Sequence, residues 1–427
     1  MAEAIAYFLL ERLGLGGAFV PLSQAKLIGR AGQSGSVLYS KSIPMTLKSA
    51  RDNLFLRSAL KLAGRGRGLT SPNPLVGAVL VKRGQIIGCG WHHYAGGPHA
   101  EIEALRDAGR QGQSPRGATL YVTLEPCCTQ GRTPPCTKAI VAAGIRRAVI
   151  GATDPNPAHA GRAFDLLQRA EVRVDHGVLA DECAQINESF NHWIVRRTPF
   201  VTVKAAMTLD GKIATASGES KWITGEKARA YGMKLRQKAD AILVGVNTIL
   251  ADNPSLTPRL MTLGESKVQP PTSNQQRPQL RRIILDSRAR TPLSAKVITD
   301  EFRALTTVVV CKSAPKRRVA ALKKSVRVLF APERGGKIQL PWLLKKLGEE
   351  EVTSLLIEGG GEINASFLLG GQAQRIAFFY APKILGGRNA RKGVAGIGAE
   401  RLQDVLNLQG LKWHRLGPDL LLTARTK

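Results

Sequence analysis

Hydrophobic and polar positions follow two periods along most of the chain. The run Asn53–Ala63 (NLFLRSALKLA) has apolar side chains three and four residues apart, which predicts an amphipathic helix. The runs Leu75–Val81 and Gln85–Gly90 predict two strands, and Arg83–Gly84 between them predicts a hairpin turn. The elements that follow are predicted helices at His99–Ala108, Thr137–Ala143 and Phe164–Ala170, and predicted strands at Thr119–Leu124, Ala148–Ala152 and Val172–Val174. This alternation predicts a three-layer α/β sandwich.

A second alternation of strands and helices begins at Phe200, and no internal repeat relates it to the first. Its predicted strands are Phe200–Ala205, Ala241–Val244, Arg282–Leu285, Thr307–Val310, Val326–Phe330, Ser354–Ile357 and Arg375–Tyr380. Asn187–Pro199 is predicted to be the passage between two domains. Residues 262–280, rich in Gln, Pro, Ser and Thr, predict an exposed loop. We therefore predict two α/β domains, at residues 45–190 and 198–427.

Residues 1–44 are predicted to lie outside both domains. The apolar stretch AIAYFLL near the start is broken by Glu11 and Arg12, and nowhere does the chain have the ~20 unbroken apolar residues of a membrane span. From Arg12 to Arg51 there is no acidic residue and Ser and Gly are common, as in organelle transit peptides. A translated upstream stretch, with Met45 as the working start, explains the same composition. We expect a cytoplasmic protein, with organelle targeting by residues 1–44 as the alternative.

Composition and charge narrow the class of protein. Of 427 residues, 43% are hydrophobic, enough to form packed cores in two domains. The net charge is +30, and the excess is densest from Arg277 to Lys346, where the interleaved aromatics of a single-strand binding groove are lacking. We therefore interpret the charge as a solvated basic surface and expect neither a nucleic-acid nor a membrane partner. Six cysteines, with Cys127 and Cys128 adjacent, favour a metal site in a reducing compartment over a disulfide framework.

Three short motifs predict a zinc site in the first domain. His99-Ala100-Glu101 opens a predicted helix, Cys127 follows Pro126, and Cys136 follows two prolines. One imidazole and two thiolates form a tetrahedral zinc set that leaves one position for water, whose pKa zinc lowers toward neutrality. A carboxylate that is not a ligand must then move a proton from water to a leaving amine, and Glu101 is suitably placed. The sequence therefore predicts a zinc-dependent deaminase.

The spacing of the third ligand departs from the general zinc-deaminase signature, which is H-x-E followed by P-C-x-x-C. Here Cys136 is nine residues after Cys127. Cys128 is an alternative ligand because it adjoins Cys127. We favour Cys127 because it directly follows the proline.

The second domain contains a glycine run after a predicted strand, Glu358-Gly359-Gly360-Gly361-Glu362. Glycines at a helix start let backbone N–H groups approach a phosphate. Because the run is not G-x-G-x-x-G, it does not by itself indicate a Rossmann dinucleotide site.

Together these motifs resemble a known family. The first domain contains GGPHAEIEAL, YVTLEPCCTQGRTPPC and TDPNPAHAGR, and the second contains KAAMTLDGKIA, SKWIT and VNTILADNPSLT. The chain resembles the bifunctional RibD family of riboflavin biosynthesis over about residues 50–425. The resemblance implies a cytidine-deaminase-like three-layer sandwich followed by a dihydrofolate-reductase-like domain. It implies zinc-dependent deamination of 2,5-diamino-6-(5-phosphoribosylamino)pyrimidin-4-one, then NADPH-dependent reduction of the ribosyl chain to ribityl. We also expect a homo-oligomer.

The resemblance implies a set of site residues. The zinc ligands are His99, Cys127 and Cys136, with Glu101 as the catalytic proton carrier. The implied substrate contacts are Asn73, His92 and Arg132 in the deaminase domain, and Lys204, Ser220, Arg236, Leu256, Arg259 and Glu358 in the reductase domain. The implied NADPH contacts are Ala206, Trp222, Thr248, Asp252, Ser287 and the loop Gly360, Gly361, Glu362, Ile363, Asn364, Ala365 and Ser366.

The side-chain chemistry of the residues implied for the reductase domain is consistent with their implied roles. Arg236 and Arg259 can clamp a ribose phosphate bidentately. Lys204 or Glu358 can protonate the sugar oxygen as hydride arrives, and the sequence does not choose between them. The chain departs from the pattern of the family it resembles after Cys127, where Cys128-Thr129 replaces that family's usual Ser-His.

Two alternative functions are each suggested by a feature of the sequence or of the family. The net charge suggests a nucleic-acid deaminase of the tRNA adenosine type, although such an enzyme needs neither the GRTPPC insertion nor a fused reductase. A single-activity enzyme with one decayed domain is the other, and the complete motifs in both halves argue against it.

Overall fold

The computed structural model describes residues 47–130, 134–257 and 280–427. The predicted extension at residues 1–44 and all but the last residue of the predicted loop 262–280 lie outside these ranges. Among the residues described, none of the helices is long and apolar enough to cross a lipid bilayer.

In the described part of the first domain, five strands form one sheet in the order β2-β1-β3-β4-β5. The first three strands pair antiparallel, and β3, β4 and β5 are parallel. The strands are β1 (Gly77–Lys82), β2 (Gln85–Trp91), β3 (Thr119–Leu124), β4 (Arg147–Ala152) and β5 (Arg173–His176). The helices are α1 (Leu47–Ala63), α2 (Ala100–Arg110), α3 (Cys136–Ala142), α4 (Arg162–Arg169) and α5 (Ala180–Ile186).

Burial on both faces of this sheet produces the three layers. Leu80 on β1 packs with α2, α3 and α4, whereas its neighbour Val79 packs with α1 and α5. Successive side chains of a strand point to opposite faces, so each strand needs apolar residues at consecutive positions. The hairpin turn between β1 and β2 forms at Arg83 and Gly84, which have φ of 51° and 81°, as a two-residue hairpin of type I′ requires.

The second domain is built on a larger sheet, in which nine of the described strands have the order β11-β10-β9-β8-β14-β6-β15-β18-β17. Strands β11 to β15 in this order are parallel, and the hairpin β17–β18 is added antiparallel to β15. The strands of this sheet are β6 (Phe200–Thr208), β8 (Ala241–Gly245), β9 (Arg281–Leu285), β10 (Thr306–Cys311), β11 (Arg327–Ala331), β14 (Ser354–Ile357), β15 (Arg375–Ala381), β17 (Leu408–Leu416) and β18 (Asp419–Thr426).

Helices cover both faces of the large sheet. One face of the sheet packs against α11 and α12. On the other face, strands β8, β9 and β10 pack against α8 and α10, and strands β15 and β18 pack against α7. The helices are α7 (Glu226–Lys238), α8 (Val246–Asp252), α9 (Lys296–Thr299), α10 (Lys316–Lys323), α11 (Leu340–Glu349) and α12 (Gly361–Leu369). Short strands pair outside this sheet, namely β7 (Lys212–Ala214) with β16 (Arg391–Lys392) and β12 (Glu333–Arg334) with β13 (Lys337–Ile338). Single 3₁₀ turns lie at Gly64–Gly66, Arg303–Leu305 and Leu402–Asp404.

The two sheets are joined by a helix, α6 (Glu188–Arg196), where the sequence predicted only a passage. The indole of Trp193 donates a hydrogen bond to the carbonyl of Gly348 at 2.9 Å, and Glu188 accepts hydrogen bonds from Arg375 and Arg425. A Cβ atom on Gly348 would lie 2.0 Å from the carbonyl oxygen of Arg197, so only glycine permits this approach. The connection is therefore a packed element of the second domain.

Candidate active sites

The three predicted zinc ligands lie at the ends of different elements of the first domain. His99 is the N-terminal cap residue of α2, Cys127 follows β3, and Cys136 is the first residue of α3. His99 Nδ1 lies 3.4 Å from Cys127 Sγ and 3.2 Å from Cys136 Sγ, and the possible ligand atoms all lie within 4.8 Å of one another. Among the described residues, this is the one group of His, Cys, Asp and Glu with metal-ligand geometry.

These separations fit a zinc ion. Zn–N bonds of about 2.0 Å and Zn–S bonds of about 2.3 Å give a tetrahedral N–S edge of about 3.5 Å. Hydrogen bonds from Cys136 and His99 lower the pKa of the Cys127 thiol, which favours the thiolate that binds metals. Cys128 lies outside this group, and its Sγ is 3.5 Å from Nδ1 of His159.

Glu101 lies in the first turn of α2, two residues after His99, and is only 3% exposed. Burial raises the pKa of its carboxyl group to about 7, although the charge of His99 opposes this effect. A buried carboxyl beside the metal cluster has the position that a proton carrier needs.

Asn73 is held beside the cluster by His92. Nδ1 of His92 is 3.0 Å from the carbonyl oxygen of Pro98, which can only accept, so Nδ1 carries the proton. Burial lowers the pKa of His92 and keeps the ring neutral, so Nε2 accepts from Nδ2 of Asn73 at 3.1 Å. The ring of His92 also meets that of His99 edge to face at 5.5 Å. This chain of contacts points the Oδ1 of Asn73 away from His92. Arg132, the other predicted contact of this site, lies outside the described residues.

A second cluster of charged groups lies in the second domain and consists of three of the predicted substrate contacts. Glu358 follows β14, Lys204 lies on the neighbouring strand β6, and Arg236 lies near the end of α7. Arg236 donates two hydrogen bonds to Glu358, and Nζ of Lys204 is 3.6 Å from Oε2 of Glu358. Burial alone would raise the pKa of Glu358, but the charge of Lys204 and the hydrogen bonds from Arg236 outweigh it and lower the pKa to about 2.

The predicted NADPH contacts gather at one edge of the large sheet. Strands β9, β8, β14 and β6 are parallel neighbours, and ligands of open α/β sheets bind at the carboxyl ends of such strands. The residues at or just beyond these ends are Ala206, Thr248, Ser287 and the loop from Gly360 to Ser366.

The glycine loop is formed by close packing. A Cβ atom on Gly361 would lie 2.3 Å from the carbonyl oxygen of Lys392, which excludes any larger residue there. Asn364 is fully buried and donates through Nδ2 to the carbonyl of Gly393 at 2.8 Å. The side chains of Asn364 and Ala365 are therefore packed inside the protein, while those of Glu362 and Ser366 are exposed.

Ser220 and Trp222 line one cleft of about 370 Å³. The Trp222 ring is 65% exposed and lies under the guanidinium of Arg229 at 4.6 Å. Ser220 Oγ is 3.5 Å from a carboxylate oxygen of Asp252, which brings a third predicted residue to the cleft. Leu256 is 2% exposed as a whole residue, and its side chain packs in the core. Arg259 lies outside the described residues.

Both domains of the chain match families of known proteins. Residues 199–422 match the family model of the RibD C-terminal domain, and residues 49–152 match that of the cytidine and deoxycytidylate deaminase zinc-binding region. The riboflavin biosynthesis protein RibD of Actinobacillus pleuropneumoniae is 41% identical over 380 residues, which cover 88% of this chain and 96% of that protein. The chain belongs to the RibD family.

Solved RibD structures have the same fold. Form 1 of Acinetobacter baumannii RibD has a TM-score of 0.76 and 35% identity, and the match covers 89% of this chain and 99% of that one. A diaminohydroxyphosphoribosylaminopyrimidine deaminase/5-amino-6-(5-phosphoribosylamino)uracil reductase of Thermotoga maritima has a TM-score of 0.72 and 32% identity, covering 89% and 100%.

As a RibD family member, the chain is a bifunctional deaminase and reductase of riboflavin biosynthesis, with zinc and NADPH as cofactors. The predicted fold class and activity are confirmed. Neither the nucleic-acid deaminase nor the enzyme with one decayed domain is favoured, because both halves match and the fused reductase is present.

Sequence reasoning on this RibD family member missed residues that hold the sites in shape. Glu125 is buried and accepts hydrogen bonds from the backbone amides of Asp154, Gly161 and Ala163 at 2.9–3.1 Å, which fixes the loop beside the zinc cluster. The E-P-C run that contains Glu125 predicts a role only for its cysteine. A carboxylate preceding a ligand motif is the one available signal, and its backbone partners cannot be inferred from sequence.

The reductase cleft has further contacts that the sequence did not predict, made by Lys383 and by Asp210 of the motif KAAMTLDGKIA. Asp210 accepts hydrogen bonds from the amides of Leu385 and Gly386 at 3.1 and 2.8 Å, and Lys383 donates to the carbonyl of Trp222 at 3.1 Å. They hold the loop after β15 over the cleft. No local sequence pattern predicts these contacts, because the two residues of each pair are more than 150 residues apart in the chain.

Proposed function

We propose that the chain removes the ring amino group of 2,5-diamino-6-(5-phosphoribosylamino)pyrimidin-4-one by hydrolysis and then reduces the ribosyl chain of the product with NADPH. The observation that carries the proposal is the presence, in one chain, of the His99–Cys127–Cys136 cluster and the buried charged cluster around Glu358. The relative from Thermotoga maritima, whose name states both activities, supports it.

In the deaminase site we propose His99, Cys127 and Cys136 as the zinc ligands. Bound zinc supplies a Lewis acid that makes water nucleophilic near neutral pH. Glu101 takes a proton from the attacking water and gives it to the amino nitrogen, which leaves as ammonia. Its burial supports this role because the site excludes competing water around the carboxyl.

Asn73 is proposed to orient the pyrimidine ring. Its amide is fixed by His92, so Oδ1 is an acceptor of set direction for an amino or ring N–H of the substrate. With Nδ1 bonded to Pro98 and Nε2 bonded to Asn73, His92 acts on the substrate through Asn73. Arg132 remains a proposed contact from the resemblance alone.

In the reductase site we propose Lys204 as the proton donor to the sugar oxygen and NADPH as the source of hydride. Two observations favour Lys204 over Glu358. The lowered pKa of Glu358 means that its carboxyl has no proton to give in the physiological range, and its oxygens are already bonded to Arg236. Glu358 therefore keeps Lys204 oriented toward the reacting carbon.

Arg236 is proposed to bind the phosphate of the substrate. Its Nε and Nη2 are bonded to Glu358 and Nη1 donates to the carbonyl of Thr257, so the phosphate meets the N–H groups that remain, one on Nη1 and one on Nη2. Leu256, Ser220 and Arg259 are proposed as the other substrate contacts, as the resemblance implies. The proposed NADPH contacts are those that the resemblance implies, from Ala206 to Ser366.

Three further predictions remain proposals. The deaminase domain spans residues 45–190 and the reductase domain 198–427, which the two separate sheets support. We also propose that the protein is cytoplasmic and that it forms a homo-oligomer. The lack of a membrane-spanning helix among the described residues is compatible with the first of these proposals. Localisation of a tagged chain and light scattering of the purified protein test these two.

The functional proposal is tested by following both reactions in one vessel. Purified zinc-loaded protein with the diaminopyrimidinone phosphate and NADPH is expected to release one ammonia and oxidise one NADPH per substrate. Without NADPH, the deaminated phosphoribosylaminouracil should accumulate. Oxidation of NADPH before any ammonia is released would contradict the proposed order, and ammonia release without NADPH oxidation would contradict the reductase step.

A further inference from the structure

Arg282 is a charged residue with no exposed surface, located on β9 of the reductase domain. All five N–H groups of its guanidinium have acceptors. Nε donates to Thr306 Oγ1 at 2.9 Å, Nη1 to Asp300 Oδ2 at 2.6 Å and to the Ser255 carbonyl at 2.9 Å, and Nη2 to Asp300 Oδ1 at 2.8 Å and to the Val297 carbonyl at 3.1 Å. The side chain is therefore held in one position.

One of these acceptors belongs to the turn Ser255–Thr257, which leads into the reductase site. Arg282 holds the carbonyl at one end, and Nη1 of Arg236 lies 3.3 Å from the carbonyl of Thr257 at the other end. Leu256 between them has a φ of 57°, a region that bulky residues adopt only when their surroundings impose it. Its side chain is anchored in the core, so the turn cannot rotate about its own axis.

Stability alone does not explain a fully buried arginine at this position. Replacing a buried ion pair by apolar residues of similar volume is often neutral or stabilising, because desolvation offsets the attraction of the charges. A side chain that must hold a carbonyl of the substrate turn, however, needs N–H donors in a fixed fork.

We propose that Arg282 is a positioning residue of the reductase reaction. By fixing the Ser255 carbonyl, it holds the turn Ser255–Thr257 in place, and the Thr257 carbonyl in turn accepts a hydrogen bond from Nη1 of Arg236, so that the guanidinium of Arg236 is held where it meets the phosphate of the substrate. The inference rests on the proposed function, in which Arg236 binds the phosphate of the phosphoribosyl substrate.

The test is the variant Arg282→Lys, which keeps the positive charge beside Asp300 and loses the fork that reaches Ser255. The KM for the phosphoribosylaminouracil is expected to rise about tenfold, because the phosphate contacts are made equally in ground and transition states. The kcat and the KM for NADPH should stay within about twofold. Deamination by the same chain, measured by ammonia release, is the internal control and should not change.

Thr306→Val is the matched control. It removes a buried partner of Arg282 and lowers the melting temperature, but leaves the hydrogen bond to Ser255 in place. A rise in KM with Arg282→Lys but not with Thr306→Val supports the positioning role. An equal rise in both, or a fall in kcat with KM unchanged, overturns it, since a general loss of structure would then be sufficient.

Two further variants keep the outcomes distinct. If Arg282→Lys does not fold, Asp300→Asn weakens the ion pair that orients Arg282, and a smaller rise in the same KM is expected. An unchanged KM in a destabilised Asp300→Asn overturns the proposal. Arg236→Gln tests the proposed function itself, because it should raise the KM for the phosphorylated substrate whatever Arg282 does. If Arg236→Gln has no effect, the proposed phosphate site is wrong.

Discussion

Arg236 holds the carboxylate of Glu358 by two parallel hydrogen bonds of 2.8 Å, Nε to Oε1 and Nη2 to Oε2. This side-on fork fixes both groups in one plane. The same carboxylate lies 3.6 Å from Nζ of Lys204, so one anion is shared between two cations. The reductase site is therefore organised around a carboxylate that stays ionised.

The shared carboxylate predicts a pH dependence of stability. Because the pKa of Glu358 falls from 4.5 to about 2 on folding, its charge stabilises the folded chain above about pH 4.5, and this stabilisation is lost as the pH falls toward 2. Glu358→Gln should therefore be destabilised at pH 7, by about 3 kcal/mol at most, and the difference from the parent should shrink at pH 3.5. Urea unfolding at both pH values measures it.

An exposed glutamate provides the control for that experiment. Glu349 forms a surface pair with Lys346 at 3.4 Å, and such pairs contribute little. Glu349→Gln should change the unfolding midpoint only slightly at either pH. A difference between Glu358→Gln and the parent that stays constant from pH 7 to pH 3.5 would show that Glu358 is not ionised as described.

Removal of the amine of Lys204 is expected to affect one reaction only. Lys204→Met should lower the kcat of the reductase by about 10²-fold or more, because general acids contribute 10²–10⁴. Ammonia release by the deaminase should be unchanged. NADPH oxidation with the deaminated substrate supplied directly measures the effect, and a Lys204→Met enzyme with full kcat would assign the proton to another group.

Glu101→Gln should abolish deamination, with a fall of about 10²–10⁴ in kcat, while zinc remains bound. The substitution keeps the shape of the side chain and removes its ability to exchange a proton. Metal content by atomic absorption and NADPH oxidation with deaminated substrate serve as the two controls. A variant that lost its zinc would point instead to a structural role for Glu101.

The adjacent cysteines give a matched pair of variants. Cys127→Ser should lose zinc and deaminase activity, because Cys127 Sγ is 3.4 Å from His99 Nδ1 within the metal cluster. Cys128→Ser should keep both, since Cys128 contacts His159 instead. Equal zinc loss in the two variants would contradict this assignment. Treating the parent with a chelator should reproduce the Cys127→Ser phenotype and leave the reductase active.

Local patterns predicted most of the strands that are now seen. Thr119–Leu124 and Ser354–Ile357 were predicted with the observed bounds, because both are short apolar runs buried on both faces. The hairpin β17–β18 was missed. Most of β17 is exposed, so it lacks an apolar pattern. It is positioned by pairing with β18, which itself pairs with β15. Helix α6 was missed because the buried Trp193 is bonded to the carbonyl of Gly348, 155 residues away in the chain, and such a contact has no local pattern.

The site was predictable to the extent that its chemistry is local. His99 and Glu101 share one turn of helix, and Cys127 and Cys136 flank a distinctive insertion, so the metal cluster could be inferred from motifs. Arg282 appeared only as the first residue of a predicted strand. Its function depends on the carbonyl of Ser255, 27 residues earlier, and a backbone acceptor has no signature in the sequence.

The packing of helix α6 has a consequence for the cell as well as for the fold. With Trp193 and Glu188 embedded in the second domain, the joint between the two halves is not the exposed linker at which proteases separate domains. We therefore expect limited proteolysis at this joint to be slow, so that the deaminating and reducing centres stay on one chain. Every protein molecule that forms the aminouracil phosphate then also carries a centre that reduces it.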